Sequence, residues 1–95
     1  MKRIINFKDK SALLSAGENR AMLTINEYRL PVELADAINE AGDVYVVDVF
    51  LDDTCKTGVI RIVHNLSSPS ELVEIICEAI SRIFDADTSV TYARP

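Results

Sequence analysis

Apolar and polar positions switch along this chain between the two-residue rhythm of a half-buried strand and the longer rhythm of a helix. Ala21, Leu23 and Ile25 alternate with Met22, Thr24 and Asn26, which predicts a strand over about 20–28. Leu34, Ala35, Ile38 and Ala41 then fall on one stripe of a helix over 31–41, with Glu33, Asp36, Asn39 and Glu40 facing water. Pro31 suits the first helical position and Gly42 the stop. A second helix begins at Ser68-Pro69-Ser70-Glu71, a capping box in which Ser68 accepts from the Glu71 N–H and the Glu71 carboxylate reaches back. Leu72, Val73, Ile76, Cys77, Ala79, Ile80, Ile83 and Phe84 give it an apolar face too wide for a solvated helix, so it must lie across a sheet.

Between the helices, residues 44–51 and 58–66 are β-rich runs joined by Asp52-Asp53-Thr54-Cys55-Lys56-Thr57, a polar hairpin connection. Placing Leu51 opposite Gly58 pairs Tyr45 with His64, Val47 with Ile62 and Val49 with Ile60 on one side. On the other side it pairs Val46 with Val63, Asp48 with Arg61 and Phe50 with Val59. This register brings the only internal opposite charges of the two strands together. A short strand at 3–7, a brief helix capped by Asp9 and stopped by Gly17, and a last strand at 89–93 complete the reading. From residue 20 the order is strand, helix, strand, strand, helix, strand. The expected fold is one α+β domain over 1–95, a two-layer ferredoxin-like βαββαβ sandwich at 20–93 with both helices on one face of an antiparallel sheet, preceded by the extension 1–19.

Leu30-Pro31-Val32-Glu33-Leu34-Ala35-Asp36-Ala37-Ile38-Asn39-Glu40-Ala41-Gly42 resembles the ACT-domain run from strand through Pro-Gly-x-Leu-Ala into a helix and Ala-Gly, with Val32 standing where the family has Gly. Thr57-Gly58-Val59-Ile60-Arg61-Ile62-Val63 is similar to its third strand. The resemblance implies a non-enzymatic regulatory or small-ligand-binding module acting as a homodimer. The small molecule would sit at a subunit boundary near Arg29, Leu30, Pro31, Val32, Glu33 and Leu34 and near the next strand's start at Val44 and Tyr45.

Composition narrows the function classes. Hydrophobic residues are 48% and charged residues 26% of the 95, the balance of a folded soluble domain. A net charge of −5 argues against nucleic acid as a partner, since that affinity comes largely from Lys and Arg on phosphates. The first ten residues carry net +3 and read as a segment docked on the chain's own acidic body. The apolar stretch at 4–7 is too short for a secretory signal, and no window suits a membrane span. The reading is therefore cytoplasmic, with Cys55 and Cys77 as free thiols. One histidine and two cysteines exclude zinc sites built from Cys and His clusters.

No catalytic motif is present, and no cofactor is implied. His64 reads as a cross-strand partner of Tyr45. Asp52 and Asp53 in the hairpin turn, and Asp85 and Asp87 before the last strand, offer oxygen ligands; the alternative function is an acidic protein-interaction or Ca²⁺/Mg²⁺-binding domain. Glu71, Glu74 and Glu78 share a helix face, with Arg82 placed as an i+4 partner of Glu78. That face is solvated, or it meets a basic protein partner. The run 44–51 is an edge strand with one charge and no proline, and Val46, Phe50, Val59 and Val63 form an apolar patch beside it. A second copy of the chain would cover both. The competing cover is the strand at 3–7 folding back, with Ile4, Ile5 or Phe7 as the plug.

Overall fold

The computed structural model describes residues 1–26, 31–52, 54 and 56–92. Its elements follow as β1 (Lys2–Phe7), β2 (Lys10–Ala16), β3 (Arg20–Ile25), α1 (Pro31–Asn39), β4 (Val44–Asp52), β5 (Thr57–His64), α2 (Pro69–Phe84) and β6 (Thr88–Tyr92). The strands form a single sheet in the order β4-β5-β3-β2-β1-β6, each pair antiparallel. α1 lies against β4 and β5, and α2 against β1 and β6. Ile5, Leu14, Leu23, Ile60 and Ile62 turn to the helices and are buried with Leu34, Ile38, Leu72, Ile76 and Ile80. Each such side chain contributes about 1.5–3 kcal/mol of burial. No helix among the described residues is long and apolar enough to cross a membrane.

The brief helix expected after Asp9 is a strand. Ala12 and Leu14 are buried while Leu13 between them is exposed, the two-residue period of a half-buried strand. A two-turn helix must meet its nucleation cost with few bonds, whereas β2 gains ladder bonds to neighbours on both sides. Lys8 at φ +54° turns the chain from β1 into β2, and the Gly17 N–H donating to the Arg20 carbonyl at 2.7 Å closes the turn into β3. Three consecutive strands thus form a meander that takes up the free side of β3. In the expected ferredoxin-like order β6 would lie beside β3; instead it pairs with β1, and the hairpin β1-β2 stands between them. The first strand therefore lies in the sheet rather than folding over its open face. Ile5 and Phe7 enter the core, and only Ile4 turns to the open side.

The β4-β5 hairpin keeps the expected register from Asp48↔Arg61 to Asp52↔Thr57 and then departs from it. A bulge between Val46 and Asp48 leaves Val47 without a partner, and the pairs beyond it become Val46↔Ile62, Tyr45↔Val63 and Val44↔His64. His64 is therefore opposite Val44, not Tyr45. Val46 belongs to the core at 9% exposure instead of the outward patch, while Val47 takes the outward position at 51%. The Asn39 side-chain oxygen accepts from the Val46 N–H at 2.8 Å, so the end of α1 satisfies a backbone donor on this edge strand. Bulge and cap together blunt an edge that the sequence left looking bare.

α2 starts at Ser68 as expected, with a shifted bond pattern. The Ser68 hydroxyl accepts from the Ser70 N–H at 3.2 Å, and the Glu71 N–H goes to the Ser68 carbonyl. Arg82 reaches across to Glu40 beyond the end of α1 at 2.6 Å instead of pairing with Glu78. α1 ends at Asn39, and Gly42 at φ +88° turns the chain back toward β4.

Candidate functional site

Because both helices cover the same face, strand alternation fixes what the other face carries. Ile4, Leu13, Met22, Tyr45, Val47, Phe50, Val59 and Val63 all stand on it or at its margin. Its centre is a row running Leu13, Thr24, Val59, Phe50 across β2, β3, β5 and β4. Beside that row Arg61 donates from Nε to Asp48 at 2.7 Å, pairs with Asp48 a second time through its terminal nitrogen, and lies 5.0 Å from the centre of the Phe50 ring. A shallow depression of about 670 Å³ lies next to it, lined by Ser15, Arg20, Met22, Val47, Arg61 and Val63 among others.

The hydrogen bond from Arg61, and then its charge, hold the Asp48 carboxyl below its ordinary range. A carboxylate with a depressed folded-state pKa adds stability above its unfolded pKa and loses it as pH falls through the folded one. Asp48→Asn is thus expected to lose the pair's contribution at neutral pH, a small loss because the pair is exposed, and to leave stability at acid pH unchanged, so that the acid limb is flatter by the same amount. Denaturant midpoints measured from neutral pH downward check this. An unchanged acid limb would contradict the pairing.

At the end of the sheet, where β3 and β4 begin and β5 finishes, a polar cleft of about 790 Å³ opens. Three turns build it: Asn19 and Arg20 entering β3, Asn39 to Tyr45 between α1 and β4, and Val63 to Asn65 leaving β5. His64 lies in its wall at 8% exposure, the one buried polar residue of the described chain. Its Nδ1 accepts from the Leu66 N–H at 3.3 Å, which leaves the proton of the neutral ring on Nε2. Nε2 is buried and no protein group among the described residues accepts from it. His64 and Asn19 also line a second cleft of about 390 Å³ with Glu18, Ser67, Pro69 and Leu72, so these two residues stand in the partition between the clefts.

Compared with known protein families, curated proteins and solved structures, the chain matches none. What stands is a small α+β domain with a six-stranded antiparallel sheet and two helices.

Of the residues implied by the ACT resemblance, the described ones do not converge within one chain. Arg29 and Leu30 lie outside the described residues. Pro31 is buried and faces Gly58, where an added Cβ would come within 3.1 Å of the proline ring. Val32 and Glu33 are exposed and Leu34 is in the core. Val44 and Tyr45 lie beyond the opposite end of α1, a helix of nine residues and so about 13 Å long. Of the patch residues, Phe50, Val59 and Val63 share the open face and Val46 does not.

The acidic loops do not come together either. Asp52 accepts from the Thr54 N–H at 3.0 Å in the β4-β5 turn, and Asp53 lies outside the described residues. Asp85, at φ +50°, caps α2 and Asp87 is exposed, next to the opposite edge of the sheet. Among the described residues no three His, Cys, Asp or Glu are grouped to hold a metal ion. Cys77 is a half-buried free thiol whose pKa burial pushes up, against a smaller effect of its hydrogen bond with Thr88; Cys55 lies outside the described residues. Sequence reasoning missed Asn19, Arg20, Asn39, Asp43 and Asn65 as neighbours of His64. Their only signal was polarity at turns, which solvation alone explains.

Proposed function

We propose that the protein is a non-enzymatic binding module that works as a homodimer, with the open faces of two sheets packed on each other. The supporting observation is the open face itself: large apolar side chains on four adjacent strands, with no helix over them among the described residues. Six strands at about 4.8 Å spacing give a footprint of about 600 Å² before side-chain relief. That is close to the roughly 800 Å² per partner of a standard interface. Arg61 and Asp48 offer both signs of charge within the patch, so a two-fold partner can meet each with its opposite. Bulge and Asn39 cap make edge-to-edge pairing through β4 the weaker route. The ACT-like reading at 30–42 and 57–63 agrees with such a role in regulation.

Phe50→Lys tests the interface, because Phe50 is 52% exposed and its replacement leaves the core intact. The native protein is expected to run at twice the 10.5 kDa chain mass in light scattering or sedimentation, and the variant at the chain mass with an unchanged circular dichroism spectrum. Met22→Glu, on a neighbouring row of the same face, should do likewise. A native protein that is monomeric at high concentration, or folded variants that stay dimeric, would remove the reading.

A further inference from the structure

We infer that the depression beside Met22 on the open face binds a carboxylate with an apolar body, such as a medium-chain fatty acid, held by the Arg20 guanidinium and roofed by the second copy of the chain. The roof rests on the homodimer reading; the ligand class rests on three observations within one chain. The depression's volume of about 670 Å³ falls in the range of small-molecule sites, about 300–1,000 Å³. Its wall is mostly apolar, with Met22, Val47 and Val63, and its side-chain polar groups are few: the Ser15 hydroxyl and the guanidinium groups of Arg20 and Arg61. The β4 bulge falls at this place. It takes Val47 out of the ladder and sets it outward on the wall, while the Asn39 side chain holds the neighbouring Val46 N–H. Bulges re-aim side chains in this way beside functional sites.

Charge selects the head group. Arg20 stands opposite Val63 on the open face and makes no ion pair or hydrogen bond with any described residue. Arg61, two positions before Val63, has its charge answered by Asp48. The two rows of the open face that flank the depression carry Lys2, Arg20 and Arg61 against Asp48 alone, although the chain as a whole is −5. Glu18 and Asp43, in nearby turns, line the clefts at the end of the sheet and not the depression. An anion is therefore favoured, and the planar fork of an arginine matches the two oxygens of a carboxylate. A bare anion leaves the apolar wall wet, and an uncharged chain leaves Arg20 unpaired, so both parts of the ligand are needed. Small-molecule sites bury most of their ligand, which a shallow depression in one chain does not. A second open face laid over the first supplies the missing wall, so ligand and second copy strengthen each other's binding.

Met22 is one of only two methionines, so its methyl signal in protein labelled with [¹³C-methyl]methionine reports the site, with Met22→Leu to assign it. Sodium octanoate below its micelle concentration is expected to shift that signal along a saturating curve, while sodium acetate and octanol bind more weakly. Arg20→Met should weaken octanoate by about tenfold or more, the scale of a lost hydrogen bond to a charged group. Arg20→Lys, which keeps the charge and loses the fork, should fall between. Arg82→Met, which removes a cation from the helix side, should bind as the native protein does. In sedimentation, saturating octanoate should tighten the native dimer by about 5–150-fold, the span of ordinary coupling between sites. A curve that does not saturate, acetate or octanol matching octanoate, Arg20→Met binding as well as native, Arg20→Lys no better than Arg20→Met, equal weakening by Arg82→Met, or a dimer that octanoate leaves unchanged or loosens would each overturn this proposal and leave the homodimer reading standing. A protein that is monomeric both with and without octanoate would remove both.

Discussion

Phe7→Ala is expected to destabilise the protein by about 3–5 kcal/mol, the range for truncating a buried aromatic residue. Phe7 is 1% exposed at the end of β1, and its ring lies 4.8 Å from that of Phe84 at the end of α2. Loss of the ring removes burial and, beyond it, the about 0.5–1.5 kcal/mol of an aromatic pair. A domain of this size holds about 5–14 kcal/mol in total, so the variant would forfeit a large share. Ile4→Ala, on the open side of the same strand and half-buried, should cost clearly less. Urea midpoints of the two variants settle whether β1 belongs to the core. Equal small losses would mean that the N-terminal hairpin is an appendage and not two strands of the sheet.

That contrast marks where the sequence was readable. α2 was legible because Ser68, Pro69 and a broad apolar face all state the same thing, and the structure starts the helix there. The outer half of the β4-β5 hairpin was legible because Asp48 and Arg61 label a single pairing. β2 was not, since Ser, Ala and Leu satisfy either period over seven residues and a glycine follows in both readings. Its strand state is decided by β1 and β3 on either side, which are tertiary neighbours. The place of β6 then follows from β2: once the meander fills the side of β3, the last strand joins β1 at the meander's outer edge. The His64 cleft lay further out of reach, because its walls come from three turns separated by about twenty residues each. No local pattern links Arg20, Asp43 and His64. The open face was visible in part, as the run of apolar residues on both sides of the hairpin, while Ile4 and Leu13 joined it only through the inserted hairpin.

The bulge gives the sharpest test of the structure against the simpler pairing, since the two assign neighbouring valines to opposite faces. In an uninterrupted ladder Val47 would face Ile62 and the core, and Val46 would face outward beside Phe50. In the structure Val46 pairs with Ile62 beneath the helices, and Val47 stands outside. Val46→Lys is therefore expected to bring an ammonium group into an apolar layer with no described acid beside it, at a cost of several kcal/mol. Val47→Lys should lie within about 0.5 kcal/mol of the native protein, as most surface substitutions do. Nothing separates the two variants but one position, so composition, charge and helix or strand propensity cancel in the comparison. Thermal or urea unfolding of both measures the difference directly. Reversed outcomes would restore the uninterrupted register, return Val46 to the outward patch, and move Tyr45 to the helix side opposite His64.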